Sequence, residues 1–384
     1  MQVGNSPAGI GRYITELVRA FDVCADERYE ITAYTSRSAR ALLEWSPQRV
    51  KVVPVGGAGG TRKRILRQQF VVPKLVRGHS DIAHYPDYLT PIDCPAPCVV
   101  TIHDVAYSAN PAFYTWPQRM LRQIMYPVAL RAATTIVADS EFTRQEILRN
   151  FPSVPPDQIR VVYLGIAPPA SPREDVCAAI RDRLRLPDRF VLSVCTREPR
   201  KNLDRLLHAF GRCPELADEY LVLVGGAGWG RDSLAVLNAY GPQLARRVLI
   251  TGYIAEPELA ALYRLASAFV YISLLEGFGL PPLEAMSYGV PVVASDIPVL
   301  REVLGDHALY VHPYDVDSIG AGIRTMLNDT DASGQFARRG RLHVRQFTWE
   351  RCAGQMLDIY RQTAVREGRR RPDGEMNEPP VARQ

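Results

Sequence analysis

The sequence predicts an α/β protein made of two doubly wound, mostly parallel sheets, and three observations predict it. Short apolar runs alternate with amphipathic stretches along most of the 384 residues, the pattern of repeated β–α–β crossovers. Several of these runs end in glycine-rich or polar turns that open a helix, the place where such sheets bind ligands. Residues 167–172, Ala-Pro-Pro-Ala-Ser-Pro, read as a linker between two halves of ordinary domain size.

The spacing predicts a first domain over 1–166. Its strands fall at 30–34, 50–55, 82–85, 98–102 and 135–138, its helices near 10–22, 64–77, 116–132 and 141–149, and a last strand at 161–166. The second domain, 173–345, alternates more cleanly. Strands are expected at 190–194, 220–224, 248–251, 268–272, 290–294 and 309–311, with helices near 202–211, 231–240, 256–266, 281–288, 298–304 and 315–328. A final helix follows at 349–363. Residues 366–384 are too polar and Arg-rich to pack and are expected to be disordered.

Composition narrows the function. Hydrophobic residues make up 47% of the chain, an ordinary globular value. No run of eighteen apolar residues exists, so no membrane-spanning helix is expected. Met1-Gln-Val-Gly-Asn-Ser-Pro7 lacks the basic and apolar regions of a signal peptide, which predicts a cytoplasmic protein. The seven cysteines are scattered, and only Cys94 and Cys98 stand close together without a second pair or a histidine to complete a zinc set. Free thiols are the expectation.

Charge is uneven. Up to Gly165 there are 19 basic and 14 acidic residues; from Ile166 onward there are 27 of each. The excess gathers in Arg62, Lys63, Arg64, Arg67, Lys74 and Arg77, interleaved with Ile65, Leu66, Phe70, Val71 and Leu75. This stretch, 62–77, fits an anionic membrane surface, or else an ordinary solvated helix face. Nucleic acid is the poorer fit, because aromatics are few there and the overall charge is modest. Only four of the 46 basic residues are lysine, and Lys201 is the sole one after Lys74. A compact ammonium where the chain otherwise uses arginine points to a confined site.

The chemistry concentrates in Glu276-Gly-Phe-Gly-Leu-Pro-Pro-Leu-Glu284, which follows an apolar strand and opens a helix at Pro281–Pro282. Glycines let backbone approach a ligand, and a helix N-terminus offers unpaired N–H groups to an anion. With carboxylates at both ends, the loop suits a ligand bearing both phosphate and hydroxyl groups. Arg200 and Lys201 stand after the first strand of the second domain, where positive charge could hold a diphosphate. His103-Asp104 ends a strand of the first domain, and Gly9-Ile-Gly-Arg-Tyr13 opens the first helix. Asp315-Val-Asp317 is read as helix capping, not as a metal site.

The segment EGFGLPPLEAMSYGVPVV, with seven residues between its two glutamates, closely resembles the signature of retaining glycosyltransferase family 4. VCTREPRKNLDRLLHAF, the His-Asp pair, Ser140-Glu-Phe-Thr143 and GIGRY agree, so the resemblance spans nearly the whole chain. It implies the GT-B fold: two Rossmann-like domains, a cleft between them, and a last helix crossing back to the first domain. It implies that a nucleoside-diphosphate sugar is the donor. Because no Asp-x-Asp stands as a metal site on a loop, transfer without a metal cofactor is expected, with Arg200, Lys201 and the helix N-terminus in place of a divalent ion. Glu276 would bind the donor sugar, Glu284 the ribose, and Arg200, Lys201 and the Gly277-Phe278-Gly279-Leu280 backbone the diphosphate. Gly9 and Gly11 would face the donor phosphates, Tyr253 would lie at the base or be structural, and His103 would meet a sugar hydroxyl or phosphate, with Asp104 holding His103 or the loop. Bacterial mannosyltransferase-like members that build O-antigen or exopolysaccharide are the most similar, which favours GDP-mannose over UDP-glucose and other donors and a lipid-linked or growing glycan as acceptor. An epimerase or phosphorylase of the same fold, or a non-catalytic sugar-nucleotide-binding subunit, are the rival readings. The family normally begins with a hydrophobic strand before the glycine-rich loop, and here Met1 stands only eight residues before Gly9.

Overall fold

A computed structural model describes residues 9–36, 45–56, 61–229 and 234–366. The tail expected at 366–384 lies outside them, apart from Arg366, which ends the last helix, Trp349–Arg366.

The second domain holds a six-stranded parallel sheet made of β7 (Val191–Val194), β8 (Leu221–Val224), β9 (Val248–Gly252), β10 (Ala268–Tyr271), β11 (Val292–Ser295) and β12 (Leu309–Val311). Their spatial order is β12-β11-β10-β7-β8-β9. β8, β10 and β11 are buried along their whole length, because helices cover both faces of the sheet. The strand order reverses between β7 and β10, and a crevice opens beyond their C-terminal ends. Lys201 follows β7 and Glu276 follows β10, so the topology alone brings them together.

The first domain is divided. β3 (Ala83–Tyr85), β4 (Cys98–Ile102), β5 (Thr135–Ala138) and β6 (Ile159–Val161) form a four-stranded parallel sheet in that order. β1 (Ile31–Thr35) and β2 (Val50–Pro54) form a separate parallel pair. Among the described residues β1 does not pair with β3, although Thr32–Tyr34 and Ile82–Tyr85 line the same cleft. The last helix packs along the first helix, Ile10–Cys24, with Tyr13 against Trp349 and Phe21 against Tyr360. Its Tyr360 hydroxyl reaches His84 Nδ1 at 2.7 Å, and Thr363 meets Thr135 at 2.9 Å.

Several elements depart from expectation. The helix expected at 64–77 breaks at Val71 into Thr61–Phe70 and Val72–Val76, since Pro73 carries no N–H and crowds the preceding turn. The strand expected at 161–166 is β6, two residues earlier. It pairs Ile136 with Ile159, and Ile166 instead bridges to Thr348. Helices at Glu174–Leu184 and Thr330–His343 were not anticipated.

Candidate active site

A cleft of about 740 Å³ runs between the domains, lined by residues of both. On the second-domain wall the chain leaves β7 and makes one tight turn, Pro199–Lys201, that ends at Asn202 in the left-handed region. This turn buries Lys201 and aims its ammonium at Glu276 Oε1, 2.5 Å away, with the Tyr271 hydroxyl at 2.7 Å. Arg200 donates to Glu276 Oε2 at 2.8 Å and pairs through Nε with Glu198 at 2.6 Å. Burial by itself would raise the Glu276 pKa. Lys201 and Arg200 outweigh it and hold the carboxyl down at about 2.

The loop after Glu276 is shaped by two glycines. A Cβ on Gly277 would lie 1.7 Å from the His103 carbonyl oxygen, so only glycine permits this approach of the two domains. Gly279 has φ of 104° and begins the helix Leu280–Ser287, one residue before the expected Pro281. The Phe278 ring is buried beside Tyr163 and Phe347, each at 5.9 Å between centroids, so this residue offers the cleft its backbone. Glu284, one helical turn further on, accepts from the Tyr263 hydroxyl at 2.9 Å and pairs with Arg12 at 2.6 Å. Arg12 belongs to the first domain and reaches across the cleft.

On the first-domain wall His103 stands at the C-terminal end of β4. Its Nδ1 lies 2.6 Å from Asp139 Oδ2, and its Nε2 lies 3.0 Å from the Pro86 carbonyl. Burial lowers the His103 pKa, but the Asp139 carboxylate reverses this and lifts it to about 9. In its charged form the ring donates through both N–H groups, to Asp139 and to the Pro86 carbonyl. Asp104, expected to hold His103 or the loop, holds the loop: its carboxylate accepts from the Ala106 N–H, and its carbonyl accepts from the Tyr126 hydroxyl. The reason is direction: Asp104 lies beyond the strand end and turns into the next helix, whereas Asp139 ends the neighbouring strand β5 beside His103.

Gly9, with φ of 56°, and Gly11 begin the first helix at the floor of the cleft. Tyr253 is half exposed on the loop after β9, at the rim. Thus Gly9, Gly11, His103, Arg200, Lys201, Tyr253, Gly277, Phe278, Gly279, Leu280, Glu276 and Glu284 all border one cavity. Sequence reasoning missed Asp139, Tyr263 and Tyr271, and on the first-domain side Arg64, Arg122 and Tyr114. Asp139 had a signal: an acid directly after an apolar strand and before a helix N-cap. Asp315 caps its helix, accepting from the Asp317 and Ser318 N–H groups, and no group of three or more potential metal ligands occurs among the described residues.

Comparison with known proteins agrees with this geometry. The family model described as Glycosyltransferase Family 4 matches residues 7–168, and that described as Glycosyl transferases group 1 matches 179–343. The O-antigen chain mannosyltransferase B of Escherichia coli is 33% identical over 373 residues, covering 92% of this chain and 96% of that protein. The chain belongs to this glycosyltransferase family. Solved structures bear out the GT-B architecture of the glycosyltransferase. Sucrose-phosphate synthase from Thermosynechococcus elongatus superposes with a TM-score of 0.70 at 22% identity, covering 94% of each chain. Anabaena Alr3699/HepE, solved with UDP-glucose, superposes with a TM-score of 0.73 at 17% identity, covering 94% of this chain and 97% of that one. At such identities the likeness concerns the fold.

Proposed function

We propose that this glycosyltransferase moves mannose, with retention, from GDP-mannose to a lipid-linked or growing oligosaccharide in O-antigen-type polysaccharide synthesis. The observation that carries the reading is Glu276, buried between Lys201 and Arg200 where the strand order reverses, opposite the His103–Asp139 pair. Similarity to an O-antigen chain mannosyltransferase supports the choice of sugar.

The residues take the following roles. Lys201, Arg200 and the Gly277–Leu280 backbone hold the diphosphate, Glu276 accepts hydroxyls of the donor sugar, and Glu284 accepts those of the ribose, releasing Arg12. Gly9 and Gly11 let the first helix approach the donor phosphates, and Tyr253 lies against the base. His103 exchanges its Pro86 bond for a donor-sugar hydroxyl. As the bond from C1 to the phosphate oxygen breaks, charge grows on that phosphate. Cations already held by a carboxylate need little reorganisation to stabilise it. The acceptor hydroxyl attacks from the same face, and the departing phosphate oxygen takes its proton. This reading needs no metal, so transfer should persist in EDTA.

The domain division at 167–172, with the last helix counted to the first domain, belongs to the same proposal, as does residence at the cytoplasmic face of a membrane. No helix among the described residues is long and apolar enough to cross one. Within the basic stretch, Arg67 turns inward to the Val55 carbonyl and Arg64 lines the cleft, while Lys63, Leu66, Phe70, Val71, Lys74 and Arg77 face outward. These outward residues are the proposed membrane contact. A panel of sugar nucleotides tested by thermal shift decides the donor, because a ligand at 100 times its Kd adds about 2.7 kcal/mol. Stabilisation by UDP-glucose and none by GDP-mannose would overturn the donor assignment, and an inverted anomeric configuration in the product would overturn retention.

A further inference from the structure

Glu302 lies on the short helix Pro298–Leu304 of the second domain, yet its carboxylate bonds to the first domain. Oε1 accepts from the Glu141 N–H at 2.6 Å and Oε2 from the Phe142 N–H at 2.8 Å. These are the first two N–H groups of the helix Glu141–Asn150, which its own N-cap leaves open, since Ser140 accepts from Thr143. The same helix start has a second tie to the facing domain. The Ser140 hydroxyl donates to the Gly277 carbonyl at 2.7 Å and the Thr143 hydroxyl to the same oxygen at 3.2 Å. Beside these bonds Tyr163 of the first domain meets Phe278 of the loop and Phe347, with centroids 5.9 and 6.0 Å away. None of Ser140, Thr143 and Glu302 lines the cleft.

We propose that Glu302, Ser140 and Thr143 form an interdomain clasp that closes the cleft and sets the orientation of the loop at Gly277. A carboxylate that bonds two N–H groups at a helix N-terminus makes a charge-assisted contact, and this one exists only while the domains are together. The Gly277–Phe278 peptide is planar and trans, so fixing its carbonyl toward Ser140 turns the Phe278 N–H to the opposite side. The clasp therefore aims a backbone donor of the loop without touching the ligand. Glu302 is a positioning residue, and what it positions is the loop assigned to the diphosphate in the proposed function, on which this inference rests for its kinetic arm only.

Hydrogen exchange in the full chain tests the clasp without any substrate. In Glu302→Ala the Glu141 and Phe142 amides should exchange about tenfold faster, the factor expected for loss of a hydrogen bond to a charged group. Amides later in that helix, from Ile147 to Asn150, should keep their rates. Glu302→Gln, which keeps the shape, should fall between. The kinetic arm uses GDP and GDP-mannose: because the positioned loop is the one assigned to the diphosphate, GDP affinity and kcat should both fall in Glu302→Ala, and the share of donor lost to hydrolysis should rise as the cleft closes less often. Unchanged protection at Glu141 and Phe142 in Glu302→Ala would overturn the proposal. So would a uniform rise along the helix in both variants, which marks a merely structural residue, or wild-type GDP affinity and donor hydrolysis in Glu302→Ala, which would mean that the clasp does not position the loop. If GDP does not bind at all, the donor assignment fails while the exchange arm still decides the clasp.

Discussion

On the second-domain wall of the cleft the buried carboxylate of Glu276 is held between two cations; on the first-domain wall a half-buried histidine, His103, is held by one carboxylate. Both groups follow parallel strands and are largely withdrawn from water, yet each has partners of opposite charge that favour its charged form. His84 lies in the middle of the neighbouring strand β3, but its partners are the Thr101 and Tyr360 hydroxyls, and burial lowers its pKa to about 3. Burial pushes every one of these groups toward its neutral form, and only a partner of opposite charge reverses that push. The second wall therefore offers Lys201 and Arg200 where a diphosphate would lie, and the first wall offers the His103 ring beside the guanidinium groups of Arg12, Arg64 and Arg122. The second wall rests on an unbroken six-stranded sheet, the first on a divided one.

The largest expected effect comes from removing a cation. Lys201→Ala should lower kcat by about 10²–10³, as for loss of one donor to a developing oxyanion, in a protein whose circular dichroism is unchanged. Near-normal turnover would mean that the second wall does not carry the charge of the reaction.

Next are the two glutamates. Glu284→Gln should weaken binding of bare GDP by roughly tenfold or more, whereas Glu276→Gln should spare GDP and weaken GDP-mannose. Calorimetric titration with both ligands separates them, and a loss of equal size in both variants would erase the division between ribose and sugar. Because Glu284 is held by Arg12 when no nucleotide is bound, Arg12→Met should tighten GDP modestly if the ribose must displace the guanidinium.

The histidines sharpen the comparison through pH. His103 is raised to about 9, so its contribution to stability is complete below its ordinary 6.5 and is lost as pH climbs from there through about 9. His84 is lowered to about 3, so the unfolded chain binds the extra proton and stability falls as pH drops from 6.5 toward 3. Glu276, lowered to about 2, contributes fully above its ordinary 4.5 and loses that contribution as pH falls toward 2. Urea midpoints across pH should show Asp139→Asn flattening the alkaline limb and His84→Gln flattening part of the acid limb. Equal profiles for wild type and Asp139→Asn would sever the pair.

The smallest effect is the surface one. Replacing Lys63, Lys74 and Arg77 with Gln should reduce sedimentation with anionic vesicles, each charge being worth about 1 kcal/mol at low salt. Turnover on a soluble acceptor should not change. Binding to neutral vesicles as strong as to anionic ones would remove the electrostatic account of this face.

Most strands of both domains were legible because they are short apolar runs between turns, and Glu276, Glu284, Lys201 and His103 were legible because each stands at the end of such a run. The helices Glu174–Leu184 and Thr330–His343 were not. Each buries only one residue fully, Ile180 and Gly340, so neither carries the apolar stripe that periodicity detects. The inward turn of Arg64 and Arg67 was equally hidden, since a run of basic residues looks the same whether its side chains meet water or a carbonyl.

By itself, then, the sequence determined the α/β alternation, the glycine-shaped loop and the presence of paired acids and cations at strand ends, because each depends on neighbours within a turn or a strand. Tertiary structure alone decided who partners whom. Asp139 and not the adjacent Asp104 holds His103, Arg12 meets Glu284 across the cleft, and Glu302 caps a helix of the facing domain. A buried charge takes the partner that folding brings within hydrogen-bonding distance, and that distance depends on strand order and domain closure, which no local pattern records.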